Sequence, residues 1–121
     1  MSLEEAGEYV SALAALDTAI TLSPNYFAAW LLRARYLSKL GRYSEALESC
    51  SRATQIWPHN KRGWHNRATY LNLLGRMQEA LDDLEKALSL DQDYVWAWYE
   101  KAVSTDVRNF GAIDHSLQLA A

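Results

Sequence analysis

The chain has one cysteine, two prolines and five glycines in 121 residues, and each shortage removes a class of structure. The lone thiol, Cys50, cannot build an internal disulfide framework or supply a cysteine zinc cluster. Chains without disulfides are usual in reducing compartments, so a cytoplasmic setting is the expectation. So few glycines and prolines cannot furnish the tight turns of a sandwich or barrel. No apolar run reaches the ~18 residues of a membrane-spanning helix, and the acidic opening "MSLEEAGEYV" is unlike a signal or transit peptide. Low-complexity linkers and glycine-rich phosphate loops are missing as well.

What the chain does have is helical patterning. Half its residues are hydrophobic and 22% are charged, an ordinary balance for a globular protein. Segments such as "RARYLSKLGRYSEALESCSRA" place apolar residues at helical spacing with no sustained period-two alternation. The expected class is all-α.

One stretch, "QIWPHNKRGWHNRA" over residues 55–68, is crowded with aromatic and basic groups and has the look of a site. Its tryptophan has counterparts: Trp30, Trp64 and Trp98 stand 34 residues apart. The same period relates Ala34, Ala68 and Ala102, and likewise Gly7, Gly41 and Gly75. Ala12, Ala46 and Ala80 match, as do Ala19, Ala53 and Ala87, with Pro24 and Pro58 closing two of the copies. The pattern resembles the tetratricopeptide repeat, in which W-x2-L-G-x2-Y is followed by Gly, Ala, a large residue, Ala and Pro. Arg33, Arg67 and Lys101 depart from it where Leu is usual, and Tyr36 and Tyr70 come one place early.

That resemblance implies a right-handed solenoid of about seven antiparallel helices. Residues 1–26 supply only the second helix of a partial repeat, 27–60 and 61–94 are full copies, and 95–121 form a degenerate C-terminal one. In the last, the turn "DVRNFGA" loses the glycine in register, and deleting one residue places Leu117 and Ala120 at core positions. The ending "SLQLAA" is no polar capping helix, so the solenoid's ends are expected to be open.

Physics accounts for the spacing. Trp, Ala and Leu at i, i+4 and i+7 make one stripe of a first helix, and Ala46, Cys50 and Ala53 make the facing stripe of a second. Gly41 and Gly75 suit the left-handed conformation that ends a helix. Asn25, Asn60 and Asp93 can cap the next helix, and Glu48 with Arg52 and Asp82 with Lys86 are spaced as ion pairs. Leu13, Leu16 and Ile20 lie near a face that a first helix would cover. Trp30, Trp64 and Trp98 should be mostly buried and equivalent, while Trp57 and Trp96 lie outside the stripe.

No chemistry-bearing constellation emerges. His59, His65 and His115 lack ligand-spaced carboxylate or thiol neighbours, so no metal, cofactor or small-molecule substrate is expected. Cys50 falls at a core position with no convergent base. An enzyme is not expected.

The net charge of −3 hides segregation. Residues 1–26 hold four acids and no Lys or Arg; residues 27–76 hold nine bases against two acids; residues 77–121 hold three bases against nine acids. In the tetratricopeptide family the first-helix stripe at i, i+3, i+7 and i+10 lines a concave groove that holds peptides. Here that stripe includes Leu31 and Arg35, then Arg62, His65, Thr69 and Asn72 with Asn66 beside it, then Trp96 and Tyr99. The resemblance therefore implies a protein-interaction module or scaffold binding an acidic and apolar segment. The alternatives are a structural solenoid that self-associates weakly through its ends and, ranked lower because acids flank the basic middle, a nucleic-acid surface. Co-chaperones of the family grip chaperone C-terminal carboxylates with a Lys/Asn pair, an Asn and a Lys/Arg pair on three successive first helices. The matching positions read Leu31, Arg35, Asn66, Trp96 and Glu100, of which only Asn66 fits, so chaperone tails are not expected to bind.

Overall fold

The computed structural model describes residues 1–106, and these form six helices without a strand. They are α1 (Leu3–Leu22), α2 (Phe27–Lys39), α3 (Tyr43–Ile56), α4 (Lys61–Leu73), α5 (Met77–Leu90) and α6 over 95–106. The seventh helix expected from Leu117 and Ala120 lies outside the described residues.

Short turns fold α2 onto α3 and α4 onto α5. Gly41 and Gly75 take φ of 76° and 79°, where a side chain would be strained. This lets Arg42 and Arg76 N–H return to the carbonyls of Leu37 at 2.9 Å and Leu71 at 2.8 Å, satisfying carbonyls that a helix end otherwise orphans. Of the expected caps, Asn60 holds: its Oδ1 accepts from Arg62 N–H at 2.9 Å. Asn25 and Asp93 do not cap. Tyr26 directly precedes α2 and caps it with no side-chain bond, and Asp93 instead donates its own N–H to Asp91. Both stand one residue too early, because a capping oxygen must sit on the residue just before the helix.

The paired helices meet through small residues. Ala34, Ala68, Ala46, Cys50, Ala53, Ala80, Leu84 and Ala87 are wholly buried, with Leu37 and Leu71 beside them. Burial pushes the Cys50 thiol well above its ordinary value, which leaves it inert. Replacing Ala68 by Leu should overpack the α4–α5 contact and cost about 1–3 kcal/mol by chemical denaturation. The same change at exposed Ala14 should stay within about 0.5 kcal/mol. The α1 counterparts Ala12, Leu16 and Ala19 are only half-buried. Leu13, expected on an uncovered face, belongs to the core, and Ile20 is half-buried. The apolar surface at this end is therefore smaller than the sequence pattern suggests.

The stack bends. First helices α2 and α4 approach each other, whereas α1, α3 and α5 do not come within 8 Å of one another, Cα to Cα. The first helices therefore line the concave side and the second helices splay across the convex side.

The three tryptophans are equivalent. Each indole N–H donates to a backbone carbonyl six residues earlier, at Pro24, Pro58 or Gln92, always at 2.8 Å. A backbone acceptor explains why Gln92 can replace proline. Burial is lower than expected: Trp30 and Trp64 are half-buried and Trp98 is 50% exposed. Their outer faces carry cations, Arg52 over Trp30 and Lys86 over Trp64, an attraction worth about 0.5–1 kcal/mol at exposed sites. Those are the bases expected to pair with Glu48 and Asp82; among the described residues neither pair forms.

The departures from Leu have a shared purpose. Arg33 Nε donates to Asp17 at 2.9 Å and its Nη1 to Ser49 at 2.6 Å. Arg67 Nε donates to Ser51 at 3.0 Å and its Nη1 to both oxygens of Asp83 at 2.8 Å. Lys101 Nζ lies 2.8 Å from Glu85. Arg33 and Arg67 thus reach 16 residues back and 16 forward, tying a first helix to the second helices on both sides. Asp83 is only 2% exposed. Burial pushes its carboxyl above the usual range, and Arg67 pulls it back.

Candidate functional site

Arg35 on α2 and Arg62 on α4 face one concave pocket of about 470 Å³. Ala28, Leu31, Leu32, Asn66, Thr69 and Tyr70 complete its walls, and among the described residues no carboxylate lines it. Helical spacing brings them together: Arg62, Asn66, Thr69 and Tyr70 occupy successive turns of one α4 face. Leu31 is 4% exposed and serves as floor. Burial raises the Tyr70 phenol's pKa, while Ser38 and Arg35 oppose the shift.

The two arginine side chains have no partner of their own. Among the described residues neither guanidinium makes a hydrogen bond, ion pair or ring contact. Apart from Lys39, every other described Lys and Arg has one. Arg33, Lys61, Arg67 and Lys101 meet carboxylates across helices. Arg42 pairs with Glu45, and Arg76 with Glu79. Arg52 and Lys86 lie on indoles. Much of the basic middle is therefore neutralised within the fold, and the uncompensated charge collects in this pocket.

The rest of the expected stripe is divided. Thr69 also lines a second concave pocket of about 310 Å³ between α4 and α6, with Asn72, Leu73, Met77, Glu100, Val103 and Ser104. Asn72 is drawn into bonds with Glu100 and Ser104. His65 packs edge-on against Tyr94, centroids 5.5 Å apart, and burial holds its pKa below the ordinary value. His65 lines neither pocket, and Trp96 and Tyr99 are exposed farther along on α6. Tyr70 and Leu32 were not expected in the wall; Tyr70 follows Asn66 by one turn, a spacing that could have revealed it. Trp57 is exposed, as expected. His115 lies outside the described residues. Among the described residues no cluster of three or more His, Cys, Asp or Glu could hold a metal, and no helix is long and apolar enough to cross a membrane.

The tetratricopeptide repeat family model matches residues 25–95. The chain belongs to that family. No curated protein matches it in sequence. Among solved structures, a crystal structure of MamA is 18% identical, with 90% of this chain aligned to 66% of that one and a TM-score of 0.78. The first tetratricopeptide domain of Spaghetti (RPAP3), bound to the HSP90 peptide SRMEEVD, is 19% identical over 85% of this chain and 82% of that one, TM-score 0.79. The second tetratricopeptide domain of human RPAP3, in complex with the HSP70 peptide SGPTIEEVD, is 24% identical over 82% of each chain, TM-score 0.77. These likenesses establish the fold, a right-handed tetratricopeptide solenoid.

Proposed function

We propose that this chain is a non-enzymatic protein-interaction module that holds an acidic, partly apolar segment of a partner in its concave groove. The observation that carries the reading is the pair Arg35 and Arg62: two guanidiniums without partners, in a pocket without a carboxylate. Helices packed side by side sit about 8–10 Å apart, close to the Debye length of ~8 Å at physiological salt, so their fields overlap in the cleft. Asn66 and Thr69 add polar contacts, Leu31 and Leu32 an apolar floor, and Trp96 and Tyr99 an exposed aromatic surface farther along. The test is calorimetric titration with a capped acidic peptide, against the same peptide with Gln for each Glu. Binding should require the acids, and equal affinity for both peptides would refute the reading.

The groove departs from what a chaperone tail needs. Leu31 is buried and apolar, and Glu100, where a cation is required, would repel a terminal carboxylate. Peptides SRMEEVD and SGPTIEEVD should therefore show no dependence on a free C-terminus in this chain. Micromolar binding that vanishes on C-terminal amidation would contradict this.

A further inference from the structure

The smaller concave pocket contains a carboxylate, Glu100, that accepts a hydrogen bond from Asn72. Ser104 Oγ donates to the carbonyl of Glu100 at 2.8 Å, which uses its only proton. It can therefore meet Asn72 only as an acceptor, and the Glu100 carboxylate is acceptor-only as well. Both must face the Asn72 amide nitrogen, at 2.7 Å from Ser104 and 3.2 Å from Glu100. This network fixes the amide's orientation and leaves Asn72 Oδ1 buried without a partner. Oδ1 has no surface of its own in the pocket, so the acceptor a ligand can reach is the Glu100 carboxylate, which takes one bond from Asn72 and has further lone pairs to offer.

The walls say what kind of donor. Leu73, Met77 and Val103 are apolar, and among the described residues Glu100 is the only charged one lining the pocket. An aliphatic stem ending in a cation matches this combination, since such side chains lay their methylenes on apolar surface and keep the charge at the tip. Thr69 lines both pockets, so a segment crossing α4 there reaches each. Its own hydroxyl is bonded back to the His65 carbonyl.

We propose that the α4–α6 pocket binds a lysine side chain of the same segment whose carboxylate lies between Arg35 and Arg62. The ammonium donates to the Glu100 carboxylate, and the stem lies against Leu73, Met77 and Val103. The segment recognised is thus dipolar, and the order of its two charges sets its direction across α4. This inference rests on the groove reading above and adds a second charge of opposite sign.

The probes are capped peptides in a Gly/Ser frame carrying one Glu and one Lys a few residues apart, in both orders. A parallel set has norleucine for Lys, and another has Gln for Glu. Affinity is read by fluorescence anisotropy on the full chain and on its Glu100→Gln and Leu73→Asp variants, with circular dichroism confirming that each folds. In the better charge order, Lys should bind on the order of tenfold tighter than norleucine, the scale of one charge-assisted hydrogen bond. Glu100→Gln should remove most of that advantage and leave the dependence on the peptide's Glu intact. Norleucine equal to or better than Lys, or a Lys advantage unchanged in Glu100→Gln, overturns the lysine site while the arginine pocket stands. Loss of dependence on the peptide's Glu instead overturns the groove reading and this proposal with it.

Discussion

Replacing Arg67 by Ala is expected to destabilise the fold by about 3–5 kcal/mol, the largest loss for any single polar side chain here. Among the described residues Arg67 is the sole ion-pair partner of Asp83, which is almost wholly buried and meets the guanidinium through both oxygens. Without the guanidinium a carboxylate whose charge burial already disfavours is left uncompensated. Ser51 loses a donor in the same step. The pair itself need not stabilise much, because its attraction must first offset the desolvation of both ions. Arg67→Leu combined with Asp83→Ala should therefore recover most of the loss, since Leu is the residue that the repeat pattern places at position 67. Arg33→Ala should cost only on the order of 1 kcal/mol, because its carboxylate partner Asp17 is largely exposed. Denaturant unfolding of the three variants checks the series. Equal losses for Arg33→Ala and Arg67→Ala would mean that burial of Asp83 is not the controlling factor.

The second large effect concerns binding. Arg62→Glu should weaken an acidic peptide by roughly ten- to a hundredfold, the scale of one charge-assisted bond lost, with repulsion added. Arg62 has no internal ion pair to maintain, so the reversal should leave stability within about 0.5 kcal/mol. Arg35→Glu acts on the same pocket and should behave likewise. Arg76→Glu is the control: Arg76 pairs with Glu79 beside the α4–α5 turn and lines none of the groove. Added salt should weaken the wild type more steeply than the Arg62 variant, because screening acts on an attraction that the variant has lost.

How far these features could be read beforehand depends on the range of the interaction. The 34-residue period carried the helix pairs, the glycine turns and the buried alanines, because each follows from contacts that recur at fixed spacing. The same logic placed Arg35, Arg62, Asn66 and Thr69 on one face, and the structure brings all four to one pocket. It could not say that α6 would engage Asn72, since that depends on Glu100 and Ser104 a repeat away. The departures at Arg33, Arg67 and Lys101 were visible as substitutions for Leu. Their partners were not, because a reach of 16 residues across three helices has no counterpart in helical periodicity. The cations over Trp30 and Trp64 were misassigned for a related reason. An i, i+4 carboxylate is the nearest partner in sequence, but a neighbouring helix offered an indole instead.

The central claim is that unpartnered charge at Arg35 and Arg62 makes the concave side the binding face. Titration of the isotope-labelled chain with capped hexaglutamate, followed by backbone amide shifts at low and at physiological salt, tests it most directly. The account predicts saturable shifts concentrated on α2 and α4 around Leu31, Arg35, Arg62, Asn66 and Tyr70, weaker at the higher salt and abolished in the Arg35→Glu, Arg62→Glu double variant. Shifts concentrated on the convex helices around Arg52 and Lys86, or a groove response indifferent to both arginines, would contradict it.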